Sequence, residues 1–271
     1  MKKIVWLASY PKSGNTYVRC FLSHYIYNLD SEFSFNLLKK IPKFETKKNF
    51  LNFIENVKTD EKFIYYKYCT AVQEKLINDH DQKNLIFKTH HFYGQLNNFE
   101  FTNKENTLLF IYLIRDPREV LISYARHSNM TIEDMLEFFT SNQIIRNYEM
   151  ETIVNWSMHY KSWKSFKGVP NLFIKFEDLI KNPSNEFKKI IEFLSNFIDI
   201  KFNNKKFDET LKFTKFQNLQ NLENKFGFDE SQENNFFNSG KIDSWKKILT
   251  ENQIKKIENS FYEEMKELKY I

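Results

Sequence analysis

The sequence predicts an α/β fold in which a central parallel sheet is flanked by helices, giving three layers. Two observations predict this fold. The run 107–114 (TLLFIYLI) is almost continuously apolar, as a strand buried on both faces of a parallel sheet should be. Short strand patterns also alternate with helical patterns along the chain, which is typical of βαβ units. In such a sheet, ligands bind at the carboxyl ends of the strands.

The elements follow in order from the amino terminus. Residues 3–9 form a short apolar run that predicts the first strand, and a tight loop then leads into a helix. Asp116 and Pro117 predict another helix start, since Asp is a favoured N-cap and Pro suits the first helical position. The other predicted strands are 85–90 and 171–176, and the other predicted helices are 16–28, 34–40, 47–57, 71–79, 131–142, 151–166, 183–194 and 251–268.

The chain shows no internal repeat, linker or break in composition, so we expect one domain over residues 1–271. The stretch 203–244 is polar, rich in Asn and Lys, and poorly periodic. We predict that it forms a long lid-like region rather than a separate domain. Aromatic residues make up 17% of the chain, most of them Phe, which predicts a Phe-rich core.

Composition and charge exclude several classes of protein. The net charge of +5 suits an anionic substrate but gives no basic stripe of the kind that nucleic-acid binding requires. No apolar run approaches the ~20 residues of a membrane span, and the run after Lys2 and Lys3 is too short for a secretory signal. We therefore expect a cytoplasmic protein. Cys20, Cys69 and six scattered histidines show no metal-ligand spacing, so we expect no metal.

A loop that can hold a phosphate group follows the first strand. Residues 9–16 read SYPKSGNT, and loop N–H groups before a helix bind anions. Compared with the nucleotide-triphosphatase loop G-x-x-x-x-G-K-[ST], Gly14 and Thr16 match, while Asn15 stands at the lysine position. The lysine has moved into the loop, to Lys12. This pattern predicts a P-loop-type fold whose loop holds one phosphate beneath a lysine.

The same loop resembles the 5′-phosphosulfate loop of the cytosolic-type sulfotransferases, whose pattern is T-Y-P-K-S-G-T-T-W. Asn replaces the first Thr of the pair, and Tyr replaces the Trp. Asn can still hydrogen-bond an oxygen, and Tyr can still stack on adenine. The resemblance implies that this loop binds 3′-phosphoadenosine 5′-phosphosulfate (PAPS) through Lys12, Ser13, Gly14, Asn15, Thr16 and Tyr17.

Residues 112–124 (YLIRDPREVLISY) resemble the 3′-phosphate motif of the same family. In that motif an Arg ends a buried strand and a Ser lies two turns into the next helix, positions that are Arg115 and Ser123 here. Arg115 is expected where the sheet meets solvent, which suits a bidentate contact with a phosphate. The resemblance implies that Arg115 and Ser123 bind the 3′-phosphate, and Ser123 can also bond Lys12.

Residues 85–90 (LIFKTH) resemble the K-T-H strand end that carries the family's general base. Side chains alternate along a strand, so we expect Lys88 and His90 on one face and His91 on the other. Histidine, with an ordinary pKa of about 6.5, can take an acceptor's proton near neutral pH. The resemblance implies that His90 is the base. Lys12 and Lys88 can offset charge on the leaving phosphate and the sulfuryl oxygens, and Ser123 completes the catalytic set.

The carboxyl-terminal half resembles the family less closely. Residues 173–179 resemble a strand ending in Y-E-D, with Phe where a Tyr usually faces adenine. Residues 214–216 resemble T-S-F, with Lys215 replacing Ser. Residues 238–246 match the loop R-K-G-x-x-G-D-W-K in part, because Asn and Ser stand at the Arg and Lys. The family's dimer motif is only half present and predicts no oligomeric state. The cofactor-binding residues implied here are Phe176, Thr214, Phe216, Ser239 and Gly240.

The resemblance spans about residues 3–250 and implies an enzyme that moves a sulfuryl group from PAPS to a hydroxyl or amine, without a metal. The acceptor is expected to be a small molecule or a glycan. One alternative is a P-loop small-molecule kinase, which Asn15 and the lack of a clear Mg²⁺-binding carboxylate argue against. Another is an inactive nucleotide-binding relative acting as an interaction module. The intact set of Lys12, Lys88, His90, Arg115 and Ser123 argues against such decay.

Overall fold

A computed structural model describes residues 2–28, 32–54, 64–81, 84–146, 151–231, 235–237 and 240–271. Its strands are β1 (Lys3–Ser9), β2 (Asn84–Thr89), β3 (Gln95–Leu96), β4 (Phe99–Glu100), β5 (Thr107–Ile114), β6 (Ile145–Arg146), β7 (Thr152–Ile153) and β8 (Asn171–Lys175). A 3₁₀ helix covers Phe35–Lys40. The α-helices are α1 (Asn15–Tyr27), α2 (Lys47–Ile54), α3 (Ile64–Lys67), α4 (Cys69–Asp79), α5 (Pro117–His127), α6 (Ile132–Thr140), α7 (Trp156–Ser165), α8 (Phe176–Lys181), α9 (Pro183–Ser195), α10 (Asn204–Phe213), α11 (Phe216–Phe226), α12 (Trp245–Ile248), α13 (Glu251–Ser260) and α14 (Tyr262–Glu267).

The main sheet has four strands in the order β2-β1-β5-β8, and two short ribbons pair β3 with β4 and β6 with β7. Strand β1 runs parallel to both β2 and β5. Parallel strands require crossover connections, which the helices supply. The prediction of an α/β fold with a central parallel sheet flanked by helices is confirmed.

The chain packs as two compact units, and the expected single domain over residues 1–271 stays a prediction. The first unit comprises Met1–Tyr10, Ile41–Leu113 and Ser141–Phe173, and it contains nearly all of the main sheet. Its core is aromatic: Trp6 contacts the rings of Phe44 and Phe101 at centroid distances of 5.2 and 5.1 Å. These edge and tilted contacts are favourable aromatic geometries.

The second unit comprises Pro11–Lys40, Ile114–Thr140 and Ile174–Ile271. Its core is also rich in Phe, as predicted, with Phe21 of α1 stacked on Phe187 of α9 at 3.9 Å. Asp116 caps α5 by accepting a hydrogen bond from the backbone N–H of Arg118, with Pro117 in the first helical position. That predicted helix start is confirmed.

Several predicted elements differ in the structure. The helix expected over 151–166 starts only at Trp156, because Thr152 and Ile153 form β7 and the side chain of Asn155 caps α7. The stretch 203–244, expected to be irregular, contains α10 and α11. Phe207 of α10 and Leu219 of α11 are buried, so both helices pack an apolar face although the stretch is rich in exposed Asn and Lys.

Smaller differences concern the ends of elements. The helix expected over 251–268 is broken at Phe261 into α13 and α14, and Phe261 is buried. Strand β2 ends at Thr89, so His90 lies one residue beyond the strand in which it was predicted. In the described part of the chain, none of the helices has the length and apolar composition needed to cross a bilayer.

Candidate active site

The loop between β1 and α1 turns sharply at two residues with left-handed backbone. Lys12 has a φ of 64° and Gly14 a φ of 93°. A Cβ atom on Gly14 would overlap the ring of Phe176, so this position requires glycine for both its conformation and its space. Helix α1 then starts at Asn15 with no acidic residue in its first turn, which leaves its amino end suited to an anion.

Ser13 has the environment of a ligand-binding residue. Its side chain is 0% exposed, and its Oγ has no hydrogen-bond partner among the residues that the structure describes. An unsatisfied buried polar group costs about 1–3 kcal/mol. A phosphate oxygen placed at this hydroxyl would accept its hydrogen bond, so the loop fits an anionic group.

Arg115 follows β5 and is held in place by contacts within the second unit. Its Nη1 donates to the carbonyl oxygen of Lys12 at 3.2 Å, and its Nη2 donates to Oε2 of Glu119 at 3.2 Å. The guanidinium carbon lies 4.5 Å from the ring centroid of Phe176, a cation–π distance. Burial lowers the pKa of Arg115 below its ordinary value, with Glu119 opposing the shift.

Glu119 joins Arg115 to the loop near the carboxyl end of the chain. Its carboxylate accepts hydrogen bonds from Oγ of Ser244 at 2.8 Å and from the backbone N–H of Trp245 at 3.0 Å. Nη2 of Arg115 also donates to the carbonyl oxygen of Lys241 at 3.3 Å. The loop that resembles the family's second 3′-phosphate segment therefore lies against Arg115. The predicted site residue Ser239, and its neighbour Asn238, fall outside the described residues.

Aromatic side chains expected to face adenine are grouped in the second unit. The rings of Tyr17 and Phe216 meet edge to face at 6.1 Å. A Cβ on Gly240 would lie 2.9 Å from the Phe216 ring, so this predicted pair is in close contact. Burial raises the pKa of Tyr17 to about 12. Thr214 is buried and donates its hydroxyl to the carbonyl oxygen of Thr210, one turn earlier.

A glutamate that follows α11 contacts the first helix, α1, next to the predicted phosphate-binding loop. Oγ1 of Thr16 donates to Oε2 of Glu230 at 3.1 Å, and Nη1 of Arg19 contacts Oε1 of Glu230 at 2.6 Å. From the same segment of chain, the ring of Phe236 lies 4.2 Å from Nζ of Lys12. Two of the loop residues thus contact residues of the 228–237 segment. Ser123, on α5, is half-buried.

His90 lies in the first unit, at the carboxyl end of β2. Its Nδ1 is 2.7 Å from the carbonyl oxygen of Ser9 and 3.2 Å from Oγ of Ser9, at the end of β1. Lys88, two residues earlier in β2, is buried. The predicted catalytic residues of this unit therefore sit together where two parallel strands end, as expected for ligand sites in such sheets.

His91 has a different environment from His90, as the sequence predicts. Its Nδ1 accepts a hydrogen bond from the backbone N–H of Thr152 at 2.9 Å, and its Nε2 lies 3.8 Å from Oε1 of Glu45. Its side chain is buried, and burial lowers its pKa to about 3. His91 is thus a neutral core histidine.

Several residues that contact the predicted site residues were not singled out from the sequence. Glu119 lies inside the 112–124 motif but was assigned no role from the sequence. Glu230 lies in the 203–244 stretch, outside the motifs. His159 contacts the backbone of His90. Its burial could have been predicted, because Trp156, His159 and Trp163 share one helical face. Within the described residues, no three His, Cys, Asp or Glu side chains cluster as a metal site would need.

Several known proteins resemble this chain in sequence. An amine sulfotransferase of Oryctolagus cuniculus is 30% identical over 188 residues, which are 62% of this chain and 58% of that protein. A flavonol 3-sulfotransferase of Flaveria bidentis is 23% identical over 278 residues, 96% of this chain and 81% of that protein. The match to the rabbit protein therefore spans less than two thirds of its length.

Solved structures show the same fold. A mouse sulfotransferase complexed with PAP gives a TM-score of 0.64 at 19% identity and covers 97% of this chain and 84% of its own. A retinol dehydratase in complex with androsterone and inactive cofactor PAP gives a TM-score of 0.65 at 18% identity, covering 97% and 80%. The family described as Sulfotransferase domain matches residues 2–269. The resemblance seen in the motifs is thereby confirmed, and the chain belongs to the sulfotransferase domain family.

Proposed function

We propose that this protein transfers the sulfuryl group of PAPS to an acceptor hydroxyl or amine, with His90 as general base. The observation that carries the proposal is the 2.7 Å hydrogen bond between Nδ1 of His90 and the carbonyl oxygen of Ser9. A carbonyl oxygen can only accept, so Nδ1 holds the single proton of the neutral ring. Nε2 then carries the lone pair that can take the acceptor's proton.

The second unit supplies groups that fit the anionic parts of PAPS. The buried hydroxyl of Ser13 and the left-handed turn at Gly14 suit a phosphate oxygen close to the backbone. By the family resemblance, Lys12 and Ser13 would hold the 5′-phosphosulfate, and Arg115 with Ser123 would hold the 3′-phosphate. When bound, PAPS supplies an activated sulfuryl group with the nucleotide's 5′-phosphate as leaving group.

Each residue has its own task in this proposal. His90 accepts the acceptor's proton at Nε2, which makes the acceptor oxygen or nitrogen a better nucleophile. Lys12 and Lys88 offset negative charge that builds on the leaving phosphate and the sulfuryl oxygens. Arg115, oriented by Glu119, binds phosphate oxygens, and its burial strengthens a charge-assisted bond. A sulfuryl group carries less charge than a phosphoryl group, so we propose that no metal takes part.

The acceptor is proposed to be a small molecule or a glycan. The relatives named amine sulfotransferase and flavonol 3-sulfotransferase support an acceptor with an amine or a hydroxyl. Two further relatives from Arabidopsis thaliana carry the name cytosolic sulfotransferase, which supports a cytoplasmic location for this chain.

A transfer assay tests the proposal. The purified protein is incubated with PAPS carrying radioactive sulfur and a panel of amines, phenols, sterols and sugars. We expect labelled product from at least one class of acceptor. We also expect micromolar binding, by calorimetry, of 3′-phosphoadenosine 5′-phosphate (PAP), the nucleotide left after transfer. A parallel incubation with ATP and Mg²⁺ covers the kinase alternative. Phosphoryl transfer without any sulfuryl transfer would contradict the proposal.

A further inference from the structure

We propose that His159 is a positioning residue that holds His90 in its catalytic orientation through the backbone carbonyl of His90. The inference rests on the proposed role of His90 as base. It concerns a residue of α7 that is fully buried and that belongs to none of the motifs singled out from the sequence.

The carbonyl of His90 belongs to the peptide that follows β2. Because β2 ends at Thr89, the carbonyl of His90 lies past the strand and needs another hydrogen-bond donor. Nε2 of His159 lies 3.0 Å from this oxygen. The carbonyl can only accept, so Nε2 of His159 must carry the proton.

The other ring nitrogen of His159 contacts the hydroxyl of Tyr112. With the proton on Nε2, Nδ1 of His159 is an acceptor, and the hydroxyl of Tyr112 lies 2.8 Å from it. Tyr112 therefore donates to Nδ1 and keeps the proton of His159 on the side that faces His90. Burial lowers the pKa of His159 to about 4, so it remains neutral at ordinary assay pH and keeps this arrangement.

The residues next to His90 make further hydrogen bonds that involve side chains. The backbone N–H of His91 donates to Oγ1 of Thr89 at 3.0 Å, and the Thr89 hydroxyl in turn donates to Glu45. Nε1 of Trp163, also on α7, donates to the carbonyl oxygen of His91 at 2.9 Å. Side chains thus hold both polar groups of the peptide that joins His90 to His91, and the carbonyl of His91.

These contacts have a direct consequence for the base. The oxygens of Ser9 hold the ring of His90 at Nδ1, so the position of the His90 backbone helps to set where Nε2 lies. A shift of about 1 Å in a reacting group can cost about 10²-fold in rate. Loss of the His159 contact should therefore reduce turnover without removing any group that touches the substrates.

Two variants separate the hydrogen bond from packing. His159→Leu fills much of the space but removes the donor, whereas the amide nitrogen of His159→Gln can stand where Nε2 was and still donate. We expect kcat of His159→Leu to fall about 10- to 100-fold, with PAP affinity and acceptor KM within about twofold of wild type. His159→Gln should recover most of the loss.

A double variant tests whether His159 acts through His90. In the His90→Ala background, His159→Leu should cause no further loss of kcat, because residues that act as a unit are not additive. His24→Leu is the matched control, since His24 is a buried histidine bonded to Thr210 in the second unit. It should cost stability but leave kcat near that of wild type.

A spectroscopic readout is independent of activity. Nitrogen-15 NMR of the six ring systems should show His90 protonated at Nδ1, and His91 and His159 protonated at Nε2. In His159→Leu the His90 signals should shift or broaden, whereas His159→Gln should resemble wild type. If His159→Leu does not fold, Tyr112→Phe, which deletes one oxygen, takes its place with the same expectation.

The outcomes of these experiments are distinct. Failure of wild type to transfer sulfuryl to any acceptor would refute the proposed function. Transfer by wild type with an unchanged kcat in folded His159→Leu would refute only the role of His159. An equal loss from His159→Leu with and without His90 would also refute it, because that loss would be a general structural effect.

Discussion

Nη2 of Arg115 and Oε2 of Glu119 lie 3.2 Å apart across the first turn of α5. The same carboxylate accepts hydrogen bonds from Ser244 and from the backbone of Trp245. Glu119 therefore fixes both the arginine and the loop that resembles the second 3′-phosphate segment. In the proposed role of Arg115 as a 3′-phosphate ligand, this contact would orient the guanidinium before binding and so reduce the entropy cost.

Arg115→Ala should weaken binding of PAPS by about 10- to 100-fold, since a charge-assisted hydrogen bond contributes roughly 1.5–3 kcal/mol. Adenosine 5′-phosphosulfate, which lacks the 3′-phosphate, should bind wild type and variant alike. Calorimetry with both nucleotides checks this. An equal loss of affinity for the two would show that Arg115 does not contact the 3′-phosphate.

Ser13→Ala should have opposite effects on stability and on binding. Removal of an unsatisfied buried hydroxyl should leave the free energy of unfolding unchanged or raise it by up to about 1 kcal/mol. The affinity for PAP should fall about tenfold, because one hydrogen bond to an anion is lost.

Ser23→Ala is the matched control for Ser13. Ser23 lies within α1 and is also buried. Its hydroxyl donates to the carbonyl oxygen of Cys20. This change should cost stability without altering PAP affinity. A loss of stability in Ser13→Ala with normal PAP binding would argue against a ligand at this hydroxyl.

Glu230→Gln should tighten PAP binding about fivefold, equivalent to about 1 kcal/mol. The Glu230 carboxylate lies 3.1 Å from the Thr16 hydroxyl, which is a predicted phosphate contact, and it brings negative charge to that site. Asp229→Asn removes the same charge one residue away, on an exposed side chain, and should have little effect. Equal affinities for wild type and Glu230→Gln would mean that the carboxylate does not face the nucleotide.

Glu45 gives a prediction about stability and pH. Burial, with repulsion from Glu151, raises the pKa of Glu45 to about 7. A carboxyl whose folded pKa lies above its unfolded value stabilises the protein at low pH and loses that contribution as pH rises from about 4.5 to 7. Glu45→Gln should therefore lose this slope, and its unfolding free energy relative to wild type should rise between pH 5 and pH 8. Parallel pH curves for the two proteins in chemical denaturation would contradict the raised pKa.

The buried histidines act in the opposite direction on stability. The pKa values of His91 and His159 are lowered by burial to about 3 and about 4. The unfolded chain takes up protons that the folded one does not, so both residues destabilise the fold as pH falls below about 6.5. The Glu45→Gln variant, which lacks the opposing contribution, should show this acid loss more steeply.

The turn between β1 and α1 could be predicted from sequence because its determinants are local. Lys12, Ser13 and Gly14 are adjacent in the chain, and their turn and helix start follow from residue type. The cap formed by Asp116 at the start of α5 is equally local. The buried strand β5 could be predicted from hydrophobicity alone.

Contacts between distant residues could not be predicted in this way. His159 meets His90 across 69 positions, and Glu230 meets Thr16 across 214. Nothing in local residue type pairs them, because each contact depends on how whole elements pack. The helices α10 and α11 are a different case. Apolar residues recur at helical spacing in both, as Phe207 and Leu211 do in α10, so their period was present in the sequence among many Asn and Lys residues.

The proposed role of His90, to take the acceptor's proton, is tested by kcat of His90→Ala measured as a function of pH. We expect kcat to fall about 10²- to 10⁴-fold, with PAP affinity and melting temperature nearly unchanged. The wild-type rate should decrease at acidic pH as the base becomes protonated, and His90→Ala should lack that decrease. A kcat near that of wild type, or an acid limb that persists in His90→Ala, would show that another group is the base.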